Sequence, residues 1–382
     1  MLSKLTPFSI LLLLVGVLIN GYYLYSAKPQ AGLTDLFYDS NVNSNTGCDF
    51  YALYSATKNF YSGKDIYAPP KKGQTPCHYS YRYLPVGVVI GTPFAAFNPR
   101  TAYNAWVIFL ELLLLVNLFL LWRIAPTDKI FGLGALSFLA SSPLYLELYM
   151  GQYSLLQGTF LFAALSALVL EKQSTFNLAF AASLCWKLNT WIAAPALLAK
   201  KRWGALVGAL VVLLITTIPY ALSHDTFAGA FSINTPFEPT GMTRGNQGLI
   251  MLAMVAFKSL DPKWLLWGIP FIVVAASLAI TFKGRRAHLA DLICLWSAAY
   301  FLCYKDVWEH HYIMLIPVLL ILAVRHRGAI LILPGFLIAL PTVYVWGVSY
   351  GWTGNWELYH HLAKPLAALV VYLYACKKVL LR

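Results

Sequence analysis

Apolar residues run along this 382-residue chain in long blocks, separated by short polar clusters. A helix needs about 20 apolar residues to cross a bilayer. Blocks near 8–25, 103–122, 130–146, 154–170, 203–222, 264–282, 287–304, 312–324, 329–348 and 362–376 meet or approach that length. The segment 175–199 is apolar as well, but Lys187 and Asn189 interrupt it. Lys4 precedes the first block and no small-residue cleavage site follows, so that block reads as an anchor rather than a cleaved signal. The pattern predicts an all-α polytopic membrane protein, a single integral domain over 1–382.

Charge orients the spans. With Lys4 in the cytoplasm, threading the chain puts Arg123/Lys129, Lys172, Lys200–Arg202, Lys283/Arg285/Arg286, Arg325/Arg327 and Lys377/Lys378/Arg382 on the same side. That side collects fifteen basic residues against two acids, as the positive-inside rule requires. The count works only if 175–199 enters and returns on the cytoplasmic side, because a single crossing would invert every later cluster. The expectation is therefore about ten full spans plus a re-entrant helix pair with Lys187 near its apex, and both termini cytoplasmic.

Two outer loops are long, 26–102 and 223–263. Their Tyr, Trp and Phe content argues against disorder. Asp49 to Tyr61 reads as an amphipathic helix with Phe50, Leu53, Ala56, Thr57 and Phe60 on one side. Tyr83 to Phe97 reads as an apolar interfacial segment broken by Pro85 and Pro93. Both are expected to lie along the outer membrane surface.

Composition agrees. Hydrophobic residues make up 59 % and charged residues 11 %, against about 25 % charged in soluble domains. That excludes a soluble globular protein, a disordered chain and a disulfide-rich mini-domain. The net charge of +13 does not imply a nucleic-acid partner, since the basic residues sit in short clusters between apolar runs rather than on one wet surface. Cys185, Cys294, Cys303 and Cys376 fall in or near spans and read as packing residues. Cys48 and Cys77 share the first outer loop, where an oxidising compartment would let them pair. No metal-ligand spacing such as CxxC or HExxH occurs.

Candidate chemistry gathers at one membrane face. Asp49, in Gly47-Cys48-Asp49-Phe50-Tyr51, suits a helix N-cap and also a general base at the membrane surface. Lys187 is an intramembrane cation, and such residues tend to face a polar cavity or an anion; the alternative is a snorkelling side chain. Gln152, Asn246 and Gln247 stand at the starts of apolar stretches, where amides either cap helices or bond sugar hydroxyls. Arg244 offers an always-charged fork for phosphate. Arg82 sits where the first loop meets the interfacial segment, where headgroup contact is the alternative. Lys305, Glu309, His310 and His311 occupy a brief polar turn, and one of the adjacent histidines should face the centre. A transporter would place such residues at the midplane of paired halves. Their collection at one interface, under aromatic loops, suits an enzyme acting on a lipid-linked substrate.

These residues resemble the polyprenol-phosphate-mannose-dependent mannosyltransferases of the GT-C glycosyltransferase superfamily. The matching pieces, in the family's order, are Asp49-Phe50 with Tyr54 and Gly63-Lys64-Asp65-Ile66-Tyr67; Tyr81-Arg82-Tyr83-Leu84-Pro85; Gly151-Gln152; Lys187 with Pro195 and Lys200-Lys201-Arg202-Trp203; Gly245-Asn246-Gln247-Gly248; and His311-Tyr312. Leu84-Pro85 stands where the family commonly has two prolines, and Leu188 where it has one. The resemblance implies a GT-C-like fold and an inverting transfer of a hexose, mannose first among them, from a polyprenyl-phosphate donor to a lipid or glycan acceptor. It makes Asp49 the catalytic base. Arg244, Lys187 and His311 are then candidates for the donor phosphate, and Tyr54, Gln152, Asn246 and Gln247 for the sugars. Glu309 would hold His311 or an acceptor hydroxyl, with His310, Arg82 and Lys305 in support. No cofactor is required and no divalent metal is expected, although Asp35 and Asp39 are acidic neighbours in the first loop. The expected setting is a bacterial plasma membrane with the active site on its outer face. The competing reading is a transporter or flippase of a lipid-linked substrate.

Overall fold

The protein is described here by a computed structural model covering residues 5–27, 45–223, 246–327, 332–341 and 361–381. Helices dominate these residues, which hold no strand, only two isolated bridges. Arg244, Lys4, Asp35 and Asp39 lie outside the described residues.

Helix α1 (Pro7–Ser26) is followed, after the first loop, by α2 (Cys48–Tyr61), a 3-10 turn at Pro85–Gly87, α3 (Val88–Ala95) and α4 (Pro99–Ile124). Helix α4 shows how the bilayer shapes the sequence. Asn98 caps it, accepting from Thr101 N at 3.0 Å, and Pro99 starts it. Trp106, Leu110, Leu114 and Leu121 form its buried stripe, at the four- and seven-residue steps of a helix face. Ile108, Leu112, Leu115 and Phe119 point outward, which is the expected face for lipid.

Helices α5 (Asp128–Leu139) and α6 (Ser142–Met150) are bent by 41° to one another, and α7 (Ser154–Val169) follows. Helix α8 (Gln173–Trp186) ends where Lys187 adopts an extended conformation, φ −129°, ψ 139°. A 3-10 stretch, Leu188–Ala193, then leads into α9 (Ala194–Ala199) and α10 (Trp203–Ser223). The second half holds α11 (Leu249–Ala256), α12 (Pro262–Lys283), α13 (Leu289–Cys303), a 3-10 turn at Glu309–Met314, α14 (Leu315–His326), α15 (Ile332–Ala339) and α16 (Ala363–Leu380).

Among the described residues four helices, α1, α4, α10 and α12, are long and apolar enough to cross a membrane, and the bent α5–α6 pair makes a fifth candidate. The other spans expected from the sequence correspond to shorter helices or run into residues outside the description. The ten-span count therefore stands as an expectation.

The chain reverses direction at Lys187. Helix α8 runs antiparallel along α7, because Lys187 at its end reaches Ser154 at the start of α7, Nζ to Oγ 3.0 Å. Beyond Lys187, the Asn189 side chain bonds Tyr300 near the C-terminus of α13. Lys200 Nζ donates to Arg285 O, just before the N-terminus of that helix, at 2.6 Å. The chain thus travels back along α13. Bonds from Ser183 Oγ to Thr190 Oγ1 (2.9 Å) and from Trp191 Nε1 to Leu184 O (3.0 Å) close the hairpin.

The basic clusters share one face. Arg325, at the end of α14, forks onto Asp291 in the first turn of α13 at 2.9 and 3.1 Å. Gly284 packs against Val379 near the end of α16. Asp128, at the start of α5, binds the Ser9 and Thr6 hydroxyls of α1. Gln152 follows the far end of the α5–α6 pair and is bonded to Asp49, and Lys305 and Glu309 lie between the far ends of α13 and α14.

One expectation changes. Helix α2 is not a surface helix with a single buried side. Besides Phe50, Leu53, Ala56 and Thr57, residues Tyr51, Ala52 and Tyr54 are buried, and Phe60 is exposed. Helix α3 covers one flank of α2 and α4 another, so the aromatic residues that looked interfacial in sequence are packing residues. Phe50 stacks on Trp106, ring centres 5.4 Å apart, and meets Phe94 edge-on.

Candidate active site

Two glycines bring the site's segments together. Gly47 has φ +77° and donates its N–H to Tyr149 O at 2.7 Å; a Cβ there would come within 2.6 Å of the Tyr103 ring. Gly151 has φ +66°, and its Cβ would lie 2.5 Å from that of Phe50. Side chains other than glycine rarely adopt such angles, and neither position has room for one. The entry to α2 and the α6–α7 turn can therefore touch. The Cys48–Cys77 disulfide fixes the same corner to the rest of the first loop.

Asp49 lies in the first turn of α2, but it is not the N-cap. That position belongs to Gly47, and no side chain caps it. The carboxylate turns instead to Gln152, whose Nε2 donates to Oδ2 at 2.8 Å. Tyr153 OH donates to the Asp49 carbonyl. Burial pushes the Asp49 carboxyl up from 3.8 to about 6, against the lowering effects of the Gln152 bond and of the Lys187 and Arg82 charges.

Lys187 is buried at the hairpin apex. Its ammonium donates to Ser154 Oγ and stands over the rings of Tyr83 (5.3 Å) and Tyr153 (5.9 Å). An ammonium has three N–H donors, so two remain for a ligand beside Asp49. Cation–π contacts help hold the charge in this enclosed place.

Glu147 was missed in the sequence. It is fully buried on α6, and its Oε2 accepts from Leu155 N at 2.9 Å. Its carboxylate also receives the Ser154 hydroxyl and interacts with Lys187 and Asp49. The signal was available: a carboxylate inside Tyr145-Leu146-Glu147-Leu148-Tyr149 is as anomalous in an apolar setting as Lys187.

The polar turn after α13 closes the site from the other side. His310 is buried, and its ring nitrogens have no hydrogen-bond partner among the described residues. Its ring centre is 4.3 Å from that of His311, and both imidazoles lie within electrostatic reach of Lys187. Both histidines thus approach the centre, where one was expected. His311 Nδ1 accepts from Trp308 N at 3.3 Å, and the ring also bonds the Asp306 main chain. Arg82 is exposed, within electrostatic reach of Asp49 and Asp306.

Several expected ligands are engaged elsewhere. The Tyr54 hydroxyl donates to Phe97 O at 2.8 Å and points away from Asp49, since five helical residues turn the side chain by about 140°. Gln152 Nε2 is bonded to Asp49, and its Oε1 accepts from Tyr153 N at 3.3 Å. The Asn246 amide bonds Lys305 O and Gly248 N, which fastens the end of the second outer loop to the polar turn. Gln247 adds main-chain bonds to the same clip: its N–H donates to Val307 O at 2.6 Å and its carbonyl accepts from Tyr312 OH at 2.8 Å. Lys305 is buried within it. Glu309 forms a buried ion pair with Lys364 at 3.1 Å and accepts from Ser142. Among the described residues no group of three or more His, Cys, Asp and Glu could hold a metal ion.

The arrangement offers a carboxylate of raised proton affinity beside a buried cation with donors to spare. A sequence model of glycosyltransferase family 87 matches residues 81–304, more than half of the chain. The chain belongs to glycosyltransferase family 87. This is a family of the GT-C type, so the protein is a membrane glycosyltransferase rather than a transporter. The matched span carries Arg82, Glu147, Gln152, Lys187 and Asn246, whereas Asp49 and the histidines flank it. No curated protein matches the chain. Among solved structures, the crystal structure of ArnT from Cupriavidus metallidurans bound to undecaprenyl phosphate is similar, with 13 % identity and a TM-score of 0.45 over 97 % of this chain and 77 % of that one.

Proposed function

We propose that this enzyme moves a hexose, mannose in the first instance, from a polyprenyl-phosphate donor to a lipid or glycan acceptor, with inversion and with Asp49 as base. The observation that carries the reading is the juxtaposition of Asp49, held by Gln152, with the buried Lys187 ammonium. An inverting transfer needs a base on the acceptor side and a cation on the leaving-group side. The acceptor oxygen attacks C1 of the sugar as the C1–O bond to phosphate breaks. The acceptor proton passes to Asp49, and the bonding electrons leave with the phosphate. A base titrating near 6 is ionised at neutral pH yet still basic enough to take that proton in the transition state. Lys187 supplies cationic charge to the phosphate as its charge grows, and the neighbouring His310 and His311, kept neutral by burial, line the same place. Polyprenyl phosphate is a good leaving group, so no separate acid is needed. Arg244 remains a candidate for the same phosphate from the second loop.

The shared basic face supports a cytoplasmic side opposite the site. The site then faces outward, in a bacterial plasma membrane the periplasmic side, and the donor's tail lies among the spans with its headgroup under the outer loops.

The test uses purified protein in lipid with radiolabelled polyprenyl-phosphate mannose and total membrane glycolipid, beside Asp49→Asn. Label moving to a new glycolipid with wild type only is the expected result. Equal transfer by both proteins would keep the enzyme and remove Asp49 as its base. Transfer only from other polyprenyl-phosphate sugars would replace mannose.

A further inference from the structure

We infer that Glu147 is a positioning residue for the donor phosphate: acting through Ser154, it holds the Lys187 ammonium in place beside Asp49. The inference rests on the reading that Lys187 binds the phosphate.

Three observations carry it. First, among the described residues the Lys187 ammonium donates to Ser154 Oγ at 3.0 Å, and the Ser154 hydroxyl in turn bonds the Glu147 carboxylate. The three side chains therefore form a chain from carboxylate to hydroxyl to ammonium. A hydroxyl has both a donor and acceptor sites, so it can serve both neighbours at once. Second, Glu147 is too well placed to be a helix cap alone. Oε2 already satisfies Leu155 N at the start of α7. Its other oxygen, Oε1, is buried without a hydrogen-bond partner among the described residues. A cap would be served by a neutral amide or hydroxyl, and a buried charge is retained at a cost unless another charge needs it. Third, that other charge is present. Lys187 is a buried ammonium between two aromatic rings, and its electrostatic partners are Glu147 and Asp49. Asp49 must change charge during the reaction, because it takes up the acceptor's proton. Glu147 is the second of these carboxylates, fully buried and fastened to the start of α7 beside Ser154.

The geometry separates the two carboxylates by role. Gln152 fixes Asp49 from the α6–α7 turn, and Glu147, one helical turn earlier, fixes Lys187 from the same turn; Gln152 N donates to Glu147 O at 3.0 Å. Base and phosphate cation are thereby registered to one rigid corner.

The variants are Glu147→Gln, Ser154→Ala, Lys187→Met and the double variant Glu147→Gln/Lys187→Met. Glu147→Gln keeps an acceptor for Leu155 N and Ser154, and Ser154→Ala breaks the chain without touching Glu147. The readout is retention of radiolabelled undecaprenyl phosphate by purified protein in detergent, which needs no turnover and does not depend on the sugar. The acceptor KM of the active variants is measured beside it. Glu147→Gln and Ser154→Ala are each expected to weaken retention about tenfold with the acceptor KM unchanged, and Glu147→Gln should add nothing once Lys187 is Met. If Glu147→Gln weakens retention by the same factor in both backgrounds, Glu147 does not act through Lys187 and the inference falls, while the phosphate role of Lys187 stands. If Lys187→Met leaves retention unchanged, that role falls and this inference with it.

Discussion

A carboxylate that must accept a proton near neutral pH works best when its own proton affinity is close to that pH, and burial is what gives Asp49 its value of about 6. The same burial has a thermodynamic sign. The folded-state value lies above the unfolded one of 3.8, so the folded protein binds the proton more readily between the two. Ionised Asp49 therefore destabilises the fold above pH 6, and this destabilisation disappears as pH falls towards 4. Because Asp49 is partly exposed, the two-unit shift translates after screening into roughly 1–2 kcal/mol. Asp49→Asn should accordingly melt higher than wild type at pH 7.5 and equally at pH 4, while losing transfer. A lower melting temperature at pH 7.5 would mean that the carboxylate is needed structurally. At this scale the sequence was partly legible. Asp49 and Lys187 stood out because charge in an apolar or interfacial setting needs a reason. Glu147 needed the same reason, but it lies at the edge of an apolar block, where a carboxylate passes for the start of a loop. The partners of Tyr54, Gln152 and Asn246 were not legible, because hydroxyls and amides are also engaged by main chain and by other side chains, and which acceptor lies within 3 Å is decided by distant segments.

At the scale of elements, the site is made by two turns rather than by any one helix. The α6–α7 turn presents Glu147, Gln152, Tyr153 and Ser154 within eight residues, and it can do so because Gly151 reverses the chain with a positive φ. Gly151→Ala would combine that backbone strain with a Cβ 2.5 Å from the Phe50 Cβ, the residue next to Asp49. The neighbour is packed against Trp106, Phe94 and Tyr103, so it has little room to yield. The expected outcome is a loss of about 2–3 kcal/mol of stability and a far larger loss of transfer, since base and ammonium are both registered to this turn. Gly63→Ala is the control: it too has positive φ, at +65°, but no atom lies within 4 Å of its Cβ position. It should lose stability from backbone strain and retain transfer per folded molecule. Equal loss of transfer in both variants would show that the α6–α7 turn has no special place in the site. The helices were legible from apolar periodicity, and so was the break at Lys187. The close approach of α2 to the α6–α7 turn was not, because no local pattern states that two glycines a hundred residues apart face one another's segments.

At the scale of the whole molecule, the clusters Lys200–Arg202, Lys283–Arg286 and Arg325 lie at the end away from Asp49. The hairpin at Lys187 is the element on which the sidedness of the molecule depends. It returns the chain so that Lys200–Arg202 meets Arg285, whereas a single crossing would have carried those three cations to the face of Asp49. The cost of exposing them on the translocated side is what the positive-inside rule expresses. The consequence is measurable. Single cysteines at Lys71 and Lys201, both exposed, are placed in a chain whose four unpaired cysteines, Cys185, Cys294, Cys303 and Cys376, are replaced by alanine or serine. The Cys48–Cys77 disulfide is left intact. An impermeant maleimide added to whole cells should label position 71 and spare position 201, and position 201 should react only after the membrane is opened. Labelling of both from outside would place the Lys200–Arg202 cluster on the same side as the site, and the charge argument for the hairpin would fail with it. Labelling of 201 alone would invert the molecule, so that Asp49 and Lys187 would meet their lipid-linked donor on the cytoplasmic side, where the sugar transfer would also have to be sought.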